Sequence, residues 1–207
     1  MALIHQATLR PSKLELLSDW LPTRGWYDGP KGEVQRVAAY RFDDPAGAVG
    51  LETLLVRVGD GPVHQVPLTY RGAPLAGADD LLLGTADHSV LGKRWIYDGT
   101  GDPLYVAELA KAIVANTGQA EQVTQVGDRL EPRELTMSIS SNAPADAVAP
   151  AVGAIVKIVD TEPTVITTDT VELTIVRRLD TTPELTGTVL AGTWPGQDTP
   201  TTLASAR

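Results

Sequence analysis

The pattern of apolar and polar positions predicts a helix close to the start of the chain. Ser12 and Glu15 have the S-x-x-E spacing of a capping box, in which each side chain bonds a free backbone N–H of the first turn. Three leucines follow at helical spacing and form one apolar stripe, and Pro22 then ends the helix: Leu14, Leu17 and Leu21. We expect this stripe to pack on a sheet.

A second helix is predicted from Asp102 onwards. Aspartate is a good N-cap, and Pro103 suits the first helical position because it lacks an N–H that would be unbonded there. Leu109 and Ile113 lie on one face of this helix. Gly118 is a plausible stop, since glycine tolerates the positive φ of a helix end.

Segments rich in β-branched and aromatic residues predict strands on both sides of the second helix. The turn 59–62, with the sequence GDGP, separates two of them and predicts a hairpin. The predicted strands cover residues 33–42, 51–58, 63–70, 81–83, 90–97, 134–140, 154–159, 165–176 and 186–193.

These elements predict an α+β protein in two parts. Residues 1–118 combine both helices with antiparallel strands, whereas residues 119–207 are β-rich, with Thr and Val prominent. Residues 142–150 are rich in Ala, Pro and Asp and predict a loop. Residues 198–207 are expected to form a weakly ordered tail.

Composition narrows the functional classes. Of 207 residues, 17 are Lys or Arg and 26 are Asp or Glu, which gives a net charge of −9. That sign disfavours nucleic acids and anionic membrane surfaces as partners. The absence of cysteine excludes disulfides and thiolate chemistry. Because the chain has neither a signal-peptide pattern nor a long apolar run, we expect a cytoplasmic protein.

The stretch YDGTGDP, residues 97–103, raises the question of a phosphate site. Free backbone N–H groups at a glycine-rich turn before a helix can hold an anion. However, the dinucleotide fingerprint needs a third glycine where Leu104 stands, and Asp98 and Asp102 would repel an anion. We therefore interpret the stretch as a strand–turn–helix corner.

Other chemistry-bearing residues do not form a recognisable catalytic set. Asp87, His88 and Ser89 have the residue types of a hydrolase triad, but neighbours in a strand point to opposite faces. His5 and His64 are isolated, so no metal site is predicted. The carboxylate pairs Asp43/Asp44 and Asp79/Asp80 occur in turn contexts, where Asp commonly bonds nearby backbone.

An aromatic and basic cluster is the candidate ligand or partner surface. Aromatic faces beside cations suit sugar rings and partner proteins. The alternative interpretation is that the tryptophans fix a helix to the sheet in a core that has one Phe. The candidate residues are Trp26, Tyr27, Tyr70, Arg71, Lys93, Arg94 and Trp95.

Three stretches together resemble a known family. Residues 20–32, WLPTRGWYDGPKG, resemble the W-L-x-x-x-x-W-Y-x-G-K-G opening of actinobacterial maltokinases, with Pro30 inserted before Lys31. Residues 66–71, VPLTYR, resemble a strand of their N-terminal cap, and residues 97–103 resemble the Y-D-A-x-x-D-P segment that enters a cap helix. The resemblance covers residues 1–118 and is specific only in the combination of motifs.

The resemblance implies a cystatin-like cap, in which a curved antiparallel sheet wraps on a helix. In full maltokinases a kinase body follows and phosphorylates maltose with ATP, in a route from trehalose to α-glucans. Residues 171–179 of this chain resemble a kinase small-lobe strand, but Thr174 stands where the phosphate-clamping lysine is expected. No glycine-rich loop precedes it, and no H-x-D or D-F-G segment occurs.

These observations favour a protein without catalytic residues, cofactor or metal. The first hypothesis is an accessory or interaction protein of α-glucan, trehalose or maltose metabolism, with a kinase or glucan-metabolising enzyme as its partner. The second is a saccharide-binding module that uses the aromatic and basic cluster. The third is an unrecognised glucan-active enzyme, which would need two carboxylates converging in a cleft.

Overall fold

Each of the two helices begins at an N-cap residue that the sequence predicts. The computed structural model describes residues 2–4, 7–126, 129–149, 151–181 and 183–207. Ser12 accepts a hydrogen bond from the Glu15 N–H and its own N–H donates to the Glu15 carboxylate, which confirms the predicted capping box. Asp102 caps the second helix, with Pro103 at its first position, as predicted. A short 3₁₀ turn over Leu21–Thr23 extends the first helix past Pro22.

The described residues form two helices and fifteen strands. They follow one another in chain order as β1 (Ala2–Ile4), β2 (Leu9–Arg10), α1 (Lys13–Trp20), β3 (Val34–Phe42), β4 (Gly50–Val58), β5 (His64–Arg71), β6 (Leu82–His88), β7 (Gly92–Asp98), α2 (Pro103–Val114), β8 (Gln122–Val126), β9 (Arg129–Pro132), β10 (Ser138–Ser141), β11 (Ile155–Val159), β12 (Thr164–Thr168), β13 (Glu172–Ile175), β14 (Thr188–Trp194) and β15 (Gln197–Ala206).

The strands form two six-stranded antiparallel sheets and a small third sheet. The first sheet has the order β2-β6-β7-β5-β4-β3, and the second has the order β10-β14-β15-β13-β12-β11. The small sheet, β1-β8-β9, begins with a parallel pair. One sheet curls into a half-barrel, and register shifts in β3 and β6 contribute local bends to the first sheet. The predicted curved antiparallel sheet with packed helices is therefore confirmed, whereas the likeness of the second part to a kinase small lobe stays a prediction.

Both faces of the first sheet are covered. Leu17 and Trp20 of α1 pack on one face, in a cluster that includes Leu54. The next residue, Leu55, points to the other face and joins a cluster formed with α2 and the second sheet. Seven of the nine residues of β4 are buried, because both faces of this strand are covered. Because α2 packs on β10, β14, β15 and β3, it lies within the core that joins the two sheets.

The prediction of a weakly ordered tail over residues 198–207 is wrong. Residues 198–206 belong to β15, which pairs with β13 on one side and β14 on the other. Leu203, Ala204 and Ala206 are buried. The Thr-rich start of this strand resembles a tail in sequence, but the turn at Pro195 and Gly196 brings it back beside β14 as a hairpin. Residues 142–149 form the predicted loop, and Pro150 lies outside the described residues. The boundary predicted at residue 118 stays a prediction.

We predict that Leu203→Ala destabilises the protein by about 2–5 kcal/mol, because it removes a fully buried side chain from the shared core. Urea unfolding followed by circular dichroism measures the effect. Thr199→Ala, at an exposed position of the same strand, is the control and should change stability by less than about 0.5 kcal/mol. Equal stability of the two variants would contradict the position assigned to β15.

Candidate ligand and partner surface

The glycine-rich corner between β7 and α2 is filled by protein groups. A Cβ on Gly101 would lie 1.8 Å from a Leu81 methyl, and a Cβ on Gly99 would lie 2.9 Å from the Tyr105 ring. The Asp98 carboxylate accepts hydrogen bonds from the N–H and hydroxyl of Thr100, at 3.0 and 2.9 Å. The glycines therefore allow close packing, and the corner has the architectural role that the sequence favoured.

Arg71, one of the candidate surface residues, is held by this corner. Its Nε and Nη2 donate to the two oxygens of Asp102, at 2.6 and 2.7 Å. Asp102 also accepts the Leu104 N–H as the cap of α2. The hydrogen bonds from Arg71 to Asp102 raise the pKa of the guanidinium further above its ordinary value. Arg71 therefore ties the end of β5 to the start of α2.

Asp98 forms the other ion pair of this corner, with Arg177. The Arg177 side chain is 0% exposed and its Nη2 donates to Asp98 Oδ2 at 2.7 Å. Its Nε donates to the Thr164 hydroxyl at 2.8 Å, and its guanidinium lies 4.6 Å from the centroid of the Trp26 ring. The Arg177 carbonyl accepts the Gln65 N–H at 2.7 Å. Arg177 follows β13, so this cluster joins the second sheet to the first.

Trp26 belongs to the core, as the alternative interpretation of the aromatic cluster expected. It is 5% exposed and its ring meets that of Trp20 edge-on, with centroids 5.9 Å apart. Ile96 of β7 packs in the same apolar cluster. Because side chains alternate along a strand, Trp95 faces the other side of the sheet. The structure therefore does not bring Trp26 and Trp95 into one platform.

Tyr27 lies in a second contact between the two parts of the chain. Its ring is 4.7 Å from the buried His64 ring, and its hydroxyl donates to the Pro30 carbonyl. His64 Nε2 is 3.3 Å from Asp28, which also pairs with Arg178. Burial lowers the pKa of His64, although Asp28 opposes this effect. His64 is therefore neutral at pH 7, and its contacts are structural.

Tyr70 donates a hydrogen bond to the buried carboxylate of Glu52 on the α1 side of the first sheet. Its hydroxyl donates to Glu52 at 2.7 Å, and Lys13 reaches the same oxygen at 2.7 Å. Arg41 lies 3.3 Å from the second oxygen. Burial alone would raise the pKa of Glu52, but the charges of Lys13 and Arg41, with the hydrogen bonds from Lys13 and Tyr70, lower it to about 2. Glu52 is therefore ionised at neutral pH.

The remaining candidates lie at the tip of the β6–β7 hairpin. Lys93 is exposed, and its Nζ lies 5.1 Å from the centroid of the half-buried Trp95 ring. Arg94 Nη2 donates to the Leu91 carbonyl at 2.6 Å. Val90 and Leu91 at the turn are 58% and 46% exposed. We call Val90, Leu91, Lys93 and Trp95 the hairpin surface.

The triad-like residues build this hairpin. His88 Nδ1 accepts the N–H groups of Val90 and Leu91, at 3.2 and 3.0 Å, and so closes the turn. Ser89 Oγ accepts the Thr8 N–H at 3.0 Å and anchors the turn to the segment before β2. These contacts of His88 and Ser89 are therefore structural.

The sequence also raised the carboxylate pairs and the isolated histidines as candidate sites. Asp44 accepts three backbone N–H groups in its turn, as the sequence suggested, and Asp79 and Asp80 lie in a 3₁₀ turn. Within the described ranges, no three His, Asp or Glu side chains are placed to hold a metal ion. His5 lies outside those ranges.

Among the described residues, no helix has the length and apolar character needed to cross a membrane.

Sequence reasoning missed Arg177 and Glu52, which hold the candidate residues Trp26 and Tyr70 in place. Arg177 was visible as one of two consecutive arginines directly after the strand-like segment 171–176, VELTIV. A charged side chain that is buried there needs a partner. Its partner, Asp98, is 79 positions away, so sequence alone could not identify the pair.

Comparison with known families supports the resemblance found in the sequence. Residues 20–102 match the family model described as the maltokinase N-terminal cap domain. The matched segment runs from the end of α1 to the cap of α2 and so contains most of the first sheet. The chain therefore contains a maltokinase N-terminal cap-like domain. No curated protein matches the chain significantly.

We predict that Arg177→Met and Asp98→Asn each destabilise the protein by about 3–5 kcal/mol, because each leaves a buried group without its charged partner. The double variant should cost less than the sum of the two, as a double-mutant cycle in urea will measure. Arg207→Met breaks an exposed pair with Glu172 and should cost less than about 1 kcal/mol. Additive effects in the cycle would contradict direct coupling.

Proposed function

Because residues 20–102 carry a maltokinase N-terminal cap-like domain, we propose that this protein is a non-catalytic interaction protein of α-glucan, trehalose or maltose metabolism. Its partner is a maltokinase-like kinase or another glucan-metabolising enzyme, and it works in the cytoplasm. The match to the cap carries this proposal, since that domain accompanies a kinase body in the family that the sequence resembles.

Two structural observations support the non-catalytic part of this proposal. The two carboxylates of the YDGTGDP corner are already paired, Asp102 with Arg71 and Asp98 with Arg177. The kinase-like run 171–179 places Thr174 in β13, where it pairs with Ser205 of β15. A threonine there supplies no charge for a phosphate group.

The hairpin surface is the part of the cap best suited to a partner. The two faces of the first sheet are largely covered, by α1 on one side and by α2 with the second sheet on the other. At the hairpin, exposed apolar side chains lie beside a cation and a half-buried tryptophan. Apolar and aromatic residues are characteristic of interface centres, whereas charged residues such as Lys93 belong to the rim.

We expect the tagged full chain to retain a kinase or glucan-metabolising enzyme from a lysate of its source organism, and Leu91→Asp with Lys93→Glu to abolish this retention. The reason is that a carboxylate at each position disrupts an apolar contact and reverses a charge. Mass spectrometry of the eluates identifies the captured proteins.

The matched control for the apolar position is Val156→Asp, because Val156 is 64% exposed on β11 of the other sheet. It should retain the partner. Recovery of no such enzyme, or equal capture by the hairpin variant, would refute the proposal.

A saccharide-binding role is the second candidate, favoured by the position of Trp95. Trp95 is the one tryptophan of the four that is not buried, and Arg71 lies beside it in the register of β5 and β7. With Lys93 over the ring, this face offers a stacking surface and cationic donors.

We predict that, if sugars bind here, maltose, trehalose or glycogen changes the tryptophan fluorescence, and that Trp95→Leu abolishes the change. The other three tryptophans are buried and should not report on a ligand at this surface. Trp194→Phe, in the second sheet, is the control and should keep the response. No spectral change at millimolar sugar would reject this second role.

A further inference from the structure

A narrow cleft on the α1 side of the first sheet is lined mainly by charged side chains. It lies between the start of α1, the strands β3 and β4, and residues 133–136, and its volume is about 90 Å³. Four cations and two carboxylates line it: Lys13, Arg36, Arg41, Arg133, Glu52 and Glu134. The cleft thus has a charge of 4 − 2 = +2 in a chain whose net charge is −9.

A β-bulge brings Arg36 to this cleft. Arg36 pairs with Val56, but Ala38 pairs with Leu55, so β3 contains one residue more than β4 across this step. Without the bulge Arg36 would point to the α2 side, with Ala38 and Tyr40. With it, Arg36 shares the α1 side with Arg41, which pairs with Glu52. The backbone is therefore built so that both arginines face the same space.

Residues 133–136 form the opposite wall and are fixed to the sheet. The Thr136 hydroxyl accepts the Ala39 N–H at 2.9 Å and donates to the Ala39 carbonyl at 3.0 Å. Nearby, the Arg41 carbonyl accepts the Ala120 N–H. These bonds cover the outer edge of β3 at Ala39 and Arg41 and leave the edge near Arg36 unpaired by them, while Arg133 lines the cleft.

The cations of the cleft are only partly neutralised. Glu52 is one negative charge shared between Lys13 and Arg41, and the Arg41 Nε is buried without a hydrogen-bond partner. Among the described residues, the structure gives no ion pair for Arg36, Arg133 or Glu134. The cleft therefore has more charged hydrogen-bond donors than acceptors. A bound anion would supply the missing acceptors.

We propose that this cleft binds a phosphate group. A phosphate monoester carries about −1.5 to −2 charges at pH 7, which matches the +2 of the cleft better than the single charge of a carboxylate. The space is about three water volumes and well below the roughly 300 Å³ of typical ligand pockets, so it admits a compact anion and leaves any attached organic part outside. The site is independent of the hairpin surface and of the proposed partner.

Binding would bridge the two parts of the chain. Lys13, Arg36 and Arg41 come from the segment that contains the first sheet, whereas Arg133 comes from the segment that leads into the second sheet. A phosphate held by both must stabilise the folded state, because the unfolded chain has no such site.

We expect inorganic phosphate to raise the melting temperature of the full chain at constant ionic strength, and to give a saturable signal in isothermal titration calorimetry. Arg36→Gln and Arg133→Gln should each weaken binding by at least about tenfold, since each removes a charged donor. Glu134→Gln should strengthen it, because it removes a competing carboxylate. Arg57→Gln, an exposed position of β4 whose side chain is on the other face, is the control and should bind as the native chain does.

Glucose 1-phosphate and adenosine monophosphate, titrated in the same way, distinguish the source of the group. Tighter binding of either than of inorganic phosphate identifies a sugar phosphate or a nucleotide as the ligand class, and equal binding of all three assigns the free anion. An equal response to chloride of the same ionic strength, or equal loss of binding in Arg57→Gln and Arg36→Gln, would overturn the proposal, since both indicate general charge screening.

Discussion

The burial of the Arg177 guanidinium between the two six-stranded sheets is the constraint on which the rest of the structure depends. A buried cation without a partner costs several kcal/mol, so Arg177 must reach Asp98, and the Trp26 face covers its other side. Asp98 is at the end of β7 and Arg177 follows β13. Since an ion pair tolerates little displacement, this contact fixes how the second sheet sits on the first.

The same constraint explains why apparent ligand motifs are structural here. Asp98 accepts hydrogen bonds from Arg177 and from the turn at Thr100. Asp102 accepts them from Arg71 and from the first turn of α2. Each aspartate therefore stabilises a local turn and a distant contact at once. A glycine-rich corner flanked by such aspartates is closed to anions by both charge and packing, whereas the bulged edge of β3 is open to them.

Local signals were sufficient for the features that depend on neighbours in sequence. The capping box of α1, the Asp102 cap and the hairpin of β4 and β5 are each set within a few residues, and each was predicted. Arg177 with Asp98, and β15 with β13, depend on residues farther apart in the chain, so neighbouring residues could not indicate these pairings. Trp26 and Trp95 both occur near basic residues in the sequence. Because side chains alternate along β7, Trp95 lies on the face of the sheet opposite to Trp26.

The matched cap segment ends at Asp102, but its interactions do not end there. Arg177 and Arg178, which lie outside the match, pair with Asp98 and Asp28, which lie inside it. The second sheet therefore occupies a face of the cap that a partner could otherwise use. What stays accessible on the first sheet is its rim: the β6 end, where β2 pairs only with Asp87 and His88, and the charged β3 edge. A partner of this cap must therefore approach along an edge of the sheet, and the two edges offer it different chemistry, apolar and aromatic at β6–β7 and cationic at β3.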